Sequence, residues 1–151
     1  MDKNAIILSV GGSPEPLIYC LKNFDYDIVY FLHSEESKKD AISVIYELDI
    51  PRDKYMFKQV DDHQSLEDAF AKSREIIKAL QKENYKIHVD FTGGTKTMVS
   101  GLVLAAIGEQ CGYTYVGTEE DRTKNNVGIV QSGFEQLKEQ KDPYDLYAVI
   151  E

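Results

Sequence analysis

The stretch DFTGGTKT at residues 90–97 gives the strongest indication of the fold. It includes the end of a short run, residues 86–91, and the start of a longer apolar segment, residues 95–110. The length of the first run indicates a strand, and the second segment is apolar nearly all round, which predicts a helix buried on both sides. A strand, a glycine turn and a helix in this order are typical of α/β proteins.

A second unit of the same kind lies near the start of the chain. Residues 4–10 form a continuous apolar run that ends in Gly11-Gly12, as expected for a strand covered on both faces. Ser13 then stands as a predicted N-cap, with Pro14 at the first helical position and Glu15 in the first turn. The sequence therefore predicts two strand-to-helix turns marked by Gly-Gly.

The rest of the chain continues the alternation of strands and helices. Further strands are predicted at residues 27–33, 55–60, 112–117 and 127–130, with helices starting near residues 34–37 and at Ser65. We predict an α/β fold, a Rossmann-like, doubly wound and mainly parallel sheet with helices on both faces, the direction of the last strands being left open. In the common strand order 3-2-1-4-5, the two strands that precede a Gly-Gly turn are neighbours. Their turns therefore meet at the edge of the sheet where the parallel strands end, which we call the carboxyl edge.

Composition limits the classes of partner. Acids outnumber bases by 26 to 17, a net charge of −9, which argues against sequence-independent binding of long nucleic acid but not against a small anion in a local basic pocket. Cys20 and Cys111 lie in apolar patterns without metal-ligand spacing, so we expect buried thiols, no metal and no cofactor. No signal peptide and no apolar stretch of membrane-spanning length are visible, and we expect a cytoplasmic protein of one domain, residues 1–151, without a membrane partner.

The turn at residues 92–96 has the chemistry of a phosphate site. Gly93 and Gly94 let backbone amides approach a ligand, Thr92 and Thr95 supply hydroxyls, and Lys96 supplies the fixed charge at a helix N-terminus. A charge-assisted hydrogen bond contributes about 1.5–3 kcal/mol, so Lys96 should outweigh any single neighbour. The spacing is not that of a P-loop, and Gly-x-Gly-x-x-Gly is absent after the first strand.

The helix after this turn carries small residues on one stripe. Gly94, Gly101 and Gly108 are seven residues apart, with Ala105 between the last two. Small residues permit close packing, and the sequence leaves two uses open, contact with the sheet or a symmetric dimer seam. A two-fold axis at such a seam would bring two copies of Lys96 together around a symmetric anion.

The two turns, GGSPEP at residues 11–16 and DFTGGTKTM at residues 90–98, resemble the two ligand motifs of CARF domains, the CRISPR-associated Rossmann-fold sensors. The likeness is greatest to the sensor half of Cas02710-type accessory proteins of type III systems. It continues through residues 115–117, 128–130 and 133–135 to Asp142-Pro143 and covers almost the whole chain. Such sensors usually continue into an effector domain, which this sequence does not show. The resemblance therefore indicates the ligand but not the activity that ligand binding would switch on.

The resemblance implies a homodimer that binds cyclic oligoadenylate and acts on an effector domain or protein in type III CRISPR antiviral signalling. Cyclic tetra-adenylate is the expected ligand, and the hexa-adenylate stays open. Carried over by position, the ligand-binding residues are Gly11, Gly12, Ser13, Glu15, Thr92, Gly93, Gly94, Thr95 and Lys96.

Three other functions stay open at this point. A metal-independent ring nuclease would cut the ligand by attack of its own 2′-OH, with Lys96 stabilising charge and Ser13 and Thr92 orienting the phosphate as the catalytic residues. His33 is then the nearest candidate for a general base, although a structural role is expected for it, while His63 is expected in a loop and His88 as a satisfied core histidine. A Rossmann domain for another nucleotide and a pure interaction protein are the remaining readings.

Overall fold

The computed structural model describes residues 3–118 and 135–140, in which strands and helices alternate along the chain. The strands are β1 (Lys3–Ser9), β2 (Ile28–His33), β3 (Tyr55–Gln59), β4 (Tyr85–Asp90), β5 (Gly112–Thr118) and β6 (Glu135–Gln140). The helices are α1 (Glu15–Lys22), α2 (Lys38–Leu48), α3 (Leu66–Lys82) and α4 (Lys96–Ala106), with a short 3₁₀ helix at Arg52–Lys54. None of the helices in these residues is both long and apolar enough to cross a lipid bilayer.

The strands form one twisted sheet in the order β3-β2-β1-β4-β5-β6. Strand β1 pairs in parallel with both β2 and β4, so Ile6 lies opposite Val29 on one side and His88 on the other. This order confirms the predicted doubly wound, Rossmann-like α/β fold and places the two Gly-Gly strands side by side. Strand β6 runs antiparallel to β5, which settles the direction that the sequence left open.

One strand differs from the prediction. The strand expected at residues 127–130 lies outside the described residues, whereas β6 was not predicted. Its sequence, EQLKEQ, is rich in residues that strands disfavour and shows no apolar alternation. Pairing with β5 therefore outweighs its local preference, which is a tertiary effect that periodicity does not reveal.

The core lies on both faces of the sheet because β1 alternates its side chains between them. Ile7 faces α3 and α4, where it packs with Ile77 and Leu102. Ile6 and Leu8 face α1 and α2 on the other side. These side chains are fully buried, and each such burial stabilises the fold by about 1.5–3 kcal/mol. This two-sided cover explains why the first strand is a continuous apolar run.

Helix α4 departs from its prediction. Its buried face carries Met98, Leu102 and Ala105, but Leu104 is 50% exposed, so the helix is not covered all round. Gly101 packs against α3, where a Cβ would lie 2.6 Å from that of Ala69. Neither predicted use of the small-residue stripe is correct for Gly101, because helix α3 occupies the position expected for the sheet or a partner chain.

The helix starts test the predicted caps. The hydroxyl of Ser65 accepts a hydrogen bond from the Asp68 amide at 3.0 Å, which confirms Ser65 as the N-cap of α3. The prediction for α1 was wrong by one residue, because Pro14 itself is the N-cap and already has helical φ and ψ. The Ser13 hydroxyl instead donates to the Glu15 carboxylate at 3.1 Å.

Candidate functional site

The two glycine turns touch each other at the carboxyl edge of the sheet. A Cβ on Gly11 would lie 2.6 Å from the Gly94 nitrogen, and one on Gly93 would lie 2.7 Å from the Ser9 carbonyl oxygen. Real Cβ atoms do not approach backbone so closely, so only glycine permits this contact. The structure therefore brings together the turn after β1 and the turn after β4, as their order in the sheet predicts.

A buried serine at the end of β1 is bonded to the second turn. Ser9 is the last residue of β1 and is fully buried. Its hydroxyl donates a hydrogen bond to the Gly93 carbonyl. The backbone of the second turn is thus fixed to the end of the neighbouring strand.

Asp90 holds the start of the second turn. Its buried carboxylate accepts hydrogen bonds from the Thr92 amide at 3.0 Å and from the Thr114 hydroxyl at 2.8 Å. Burial raises the pKa of Asp90, and the hydrogen bonds from Thr92 and Thr114 oppose this rise. Burial, with the charge of Asp90 as a second cause, also raises the pKa of the Cys20 thiol, so this predicted buried cysteine is an unreactive thiol.

Thr92 is tied to the next strand. Its hydroxyl oxygen accepts a hydrogen bond from the Val116 amide at 2.8 Å. This contact joins the second turn to β5 and gives Thr92 a structural role that the sequence did not indicate. Its contact with a ligand phosphate stays a prediction.

A third segment reaches the turns from the loop between β3 and α3. The hydroxyls of Thr95 and Thr97 both donate to the His63 carbonyl at 2.6 Å. Thr95 also serves as the N-cap of α4, since its hydroxyl accepts from the Met98 amide at 3.2 Å. His63 does lie in a loop, as predicted, but that loop is bonded to the candidate site.

A cavity of about 540 Å³ opens beside the turns. It is bounded by the two turns, the start of α2 and the loop at His63, and its lining residues are Val10, Gly11, Gly12, Ser34, Glu36, Ser37, Lys39, Asp40, His63, Gly94, Thr95 and Met98. The predicted residues Gly11, Gly12, Gly94 and Thr95 therefore share one cavity. Sequence reasoning missed His63 and the lining residues between β2 and the first turn of α2, which are Ser34, Glu36, Ser37, Lys39 and Asp40. The signal for this second group was available, because it follows β2, the neighbour of β1 at the same edge.

The other predicted residues lie around this cavity rather than in its lining. Ser13, Glu15 and Lys96 are all exposed, and Thr92 and Gly93 are half-buried within the second turn. Lys96 is the first residue of α4, next to the lining residue Thr95. A ligand that extends from the cavity over the N-terminus of α4 would reach the Lys96 ammonium group.

Two histidines lie outside the cavity lining. His33 is 1% exposed, its Nδ1 is 2.8 Å from the Ser34 carbonyl oxygen, and burial lowers its pKa. The structure therefore gives His33 the structural role that was expected for it, and it does not place His33 in the cavity as a general base. Burial, and secondarily the charge of Lys86, lowers the pKa of His88 to about 4. The described residues give the buried Nε2 of His88 no hydrogen-bond partner, so they do not bear out a satisfied core histidine.

Comparisons with known proteins give the fold but no sequence family. No protein-family model matches the sequence, and no curated protein matches it. Solved structures that share the fold include the following three. Can2 from Sulfobacillus thermosulfidooxidans, in complex with cyclic tetra-adenylate, has a TM-score of 0.62 at 16% identity over 76% of this chain. Csm6 from Enterococcus italicus, bound to cyclic hexa-2′-fluoro-hexa-dAMP, has a TM-score of 0.67 at 10% identity over 99% of this chain. A type III CRISPR defence DNA nuclease activated by cyclic oligoadenylate has a TM-score of 0.64 at 12% identity over 79%.

The chain matches only part of each of these proteins. It spans 32% of the Can2 chain, 45% of the Csm6 chain and 19% of the nuclease chain. At identities this low the likeness establishes a shared Rossmann-like fold for the described residues, and what each protein binds is a property of that protein.

Proposed function

We propose that this chain is a CARF-type sensor domain that binds cyclic oligoadenylate, with cyclic tetra-adenylate as its ligand, in type III CRISPR antiviral signalling. The observation that carries the proposal is the backbone contact between the Gly11 and Gly94 turns beside a shared cavity. Two turns that present free amides at one edge of a parallel sheet suit a ligand with several phosphates.

The charge at the start of α4 supports an anionic ligand. Helix N-termini favour acidic residues, because the helix dipole is positive there. The first turn of α4 has no acidic residue and begins with Lys96. A lysine at this position adds to the positive potential of the dipole, a cost to the helix that a bound phosphate offsets.

The structural neighbours support the chemical class of the ligand. Can2 and Csm6 were solved with cyclic oligonucleotides bound, and the nuclease is activated by cyclic oligoadenylate. These proteins are longer than this chain, which fits a sensor whose output is delivered by an effector domain or a partner protein.

The size of the cavity supports a homodimer. A volume of about 540 Å³ is that of a site for one drug-sized ligand, and a ring of four nucleotides is larger. Two cavities related by a two-fold axis would share a symmetric ring between two copies of the chain.

The ring-nuclease alternative differs in what happens to the ligand. It needs Ser13 and Thr92 to orient the phosphate beside Lys96. The Ser13 hydroxyl is bonded to Glu15, and the Thr92 hydroxyl oxygen is bonded to the Val116 amide. The bond to Glu15 occupies the Ser13 donor that would orient a phosphate, which favours the sensor with an intact ring. Thr92 accepts from Val116 without using its own proton, so this bond does not separate the two functions.

The test is a calorimetric titration of the protein with cyclic tetra-adenylate in EDTA, followed by chromatography of the ligand. We expect one ring bound per two chains and an unbroken ring. The Lys96→Ala variant should bind at least roughly tenfold more weakly, a loss of about 1.5 kcal/mol. Lys82→Ala, which removes an exposed charge from the far end of α3, is the matched control and should bind as the unchanged protein does.

The outcomes separate the readings. A product with a 2′,3′-cyclic phosphate that is absent with Lys96→Ala would show that the protein is a ring nuclease and not a sensor. Unchanged affinity in Lys96→Ala would remove Lys96 from the site. Absence of binding by the unchanged protein would overturn the proposal, and a mononucleotide or dinucleotide that binds instead would support the Rossmann domain for another nucleotide.

A further inference from the structure

We propose that His63 is a ligand-contacting residue, whose imidazole Nδ1 hydrogen-bonds the sugar-phosphate backbone of the nucleotide in the cavity. The identity of that nucleotide rests on the proposed function. The residue itself comes from the β3–α3 loop, outside both glycine turns, and would be a third contact segment of the site.

The loop holds His63 in a fixed place. The Asp68 carboxylate accepts hydrogen bonds from the amides of Asp61 and Asp62 at 2.6 and 3.0 Å. Lys72 lies 3.0 Å from the same carboxylate. Burial by itself would raise the pKa of Asp68, but the hydrogen bonds from these amides and from Lys72 outweigh it and lower the pKa. The carboxylate is therefore ionised at neutral pH and holds the loop against α3.

The carbonyl group of His63 is fixed just as firmly from the other side. It accepts both threonine hydroxyls at the start of α4, each at 2.6 Å. The backbone of His63 therefore keeps a constant position relative to Gly94 and Thr95, which line the same cavity. The ring itself is not held by these bonds and can turn about its side-chain bonds. Because the backbone is fixed in advance, binding a ligand orders only the side chain.

The Nδ1 atom of His63 makes no hydrogen bond within the described residues. The same atom is buried. A buried polar atom without a partner is unfavourable, because it has lost water and gained nothing in exchange. In the tautomer with hydrogen on Nδ1 the ring is a donor, and the adjacent N-terminus of α4 favours an anionic oxygen as the acceptor. A turn of the ring about its side-chain bonds brings Nδ1 to the cavity, where a phosphate oxygen of a ligand supplies that acceptor.

Three variants at this position separate a hydrogen bond from simple packing. His63→Ala removes the ring, and His63→Leu fills the space without a polar atom. His63→Asn keeps an amide nitrogen near the place of Nδ1. We expect cyclic tetra-adenylate to bind at least tenfold more weakly to the alanine and leucine variants, and within about threefold of the unchanged protein in the asparagine variant.

The matched control is Gln64→Ala, which truncates the exposed neighbour in the same loop and should leave the affinity unchanged. Thermal unfolding of every variant checks that the fold is kept. If the unchanged protein binds and His63→Ala binds equally well, the His63 contact is overturned while the proposed function stands. If His63→Asn is as weak as His63→Leu, the nitrogen is not used and the contact is again overturned. A failure of the unchanged protein to bind the ring overturns the proposed function and this contact together.

Discussion

Gly11 and Gly12 are adjacent in sequence but are constrained in different ways. A methyl group on Gly11 would strike the Gly94 nitrogen at 2.6 Å, whereas one on Gly12 would meet nothing within 4 Å. The contact with the second turn therefore depends on the first glycine alone. The second is exposed at the mouth of the cavity, where its amide is open to a ligand.

This difference predicts the effect of adding one methyl group. Gly11→Ala should lower the free energy of unfolding by about 1–3 kcal/mol, because backbone must move to make room. Gly12→Ala should change it by less than about 0.5 kcal/mol, as is usual at exposed positions. Urea unfolding measures both values. Equal stability of the two variants would contradict the contact between the turns.

At the scale of elements, α3 and α4 pack as a pair on one face of the sheet, and Gly101 lets them come close. A Cβ there would lie 2.7 Å from the Phe70 backbone nitrogen as well as against Ala69. Since α4 begins with the N-cap Thr95 and Lys96, its packing on α3 also sets where the positive end of the helix points.

Gly101→Ala should therefore destabilise the protein by about 1–3 kcal/mol through overpacking. The matched control is Ser100→Ala on the exposed neighbour, which should lie within about 0.5 kcal/mol of the unchanged protein. Chemical denaturation of the two variants is the measurement. A Gly101→Ala protein as stable as the control would contradict the close contact between α3 and α4 at this position.

The elements also show how far the sequence predicts this structure. Strands β1 and β4 were both predicted, each shortly before a Gly-Gly pair, and the common order 3-2-1-4-5 makes them neighbours. The meeting of the turns follows, because parallel strands align their carboxyl ends. The contact of His63 with Thr95 and Thr97 was not predictable, because it joins residues more than thirty positions apart through a loop without a motif. Strand β6 was missed for a similar reason, since pairing with β5 overrides its polar sequence.

Across the whole molecule, the two edges of the sheet offer different chemistry. The carboxyl edge carries the glycine turns, Lys96 and the cavity described above. The amino edge has a cavity of about 440 Å³ lined by Lys86, His88 and Gly112 among others. In a chain with a net charge of −9, an anionic ligand must select one local patch, and we assign the ligand to the carboxyl edge.

Glycine amide signals report on both edges in a single experiment. We would titrate isotope-labelled protein with cyclic tetra-adenylate and follow the backbone amides of Gly11, Gly12, Gly94 and Gly112 by NMR. We predict large, saturable shifts of the amide signals of the three turn glycines and an unchanged signal for Gly112, at the amino edge. Shifts at Gly112 and Lys86 with the turn glycines unmoved would contradict this prediction.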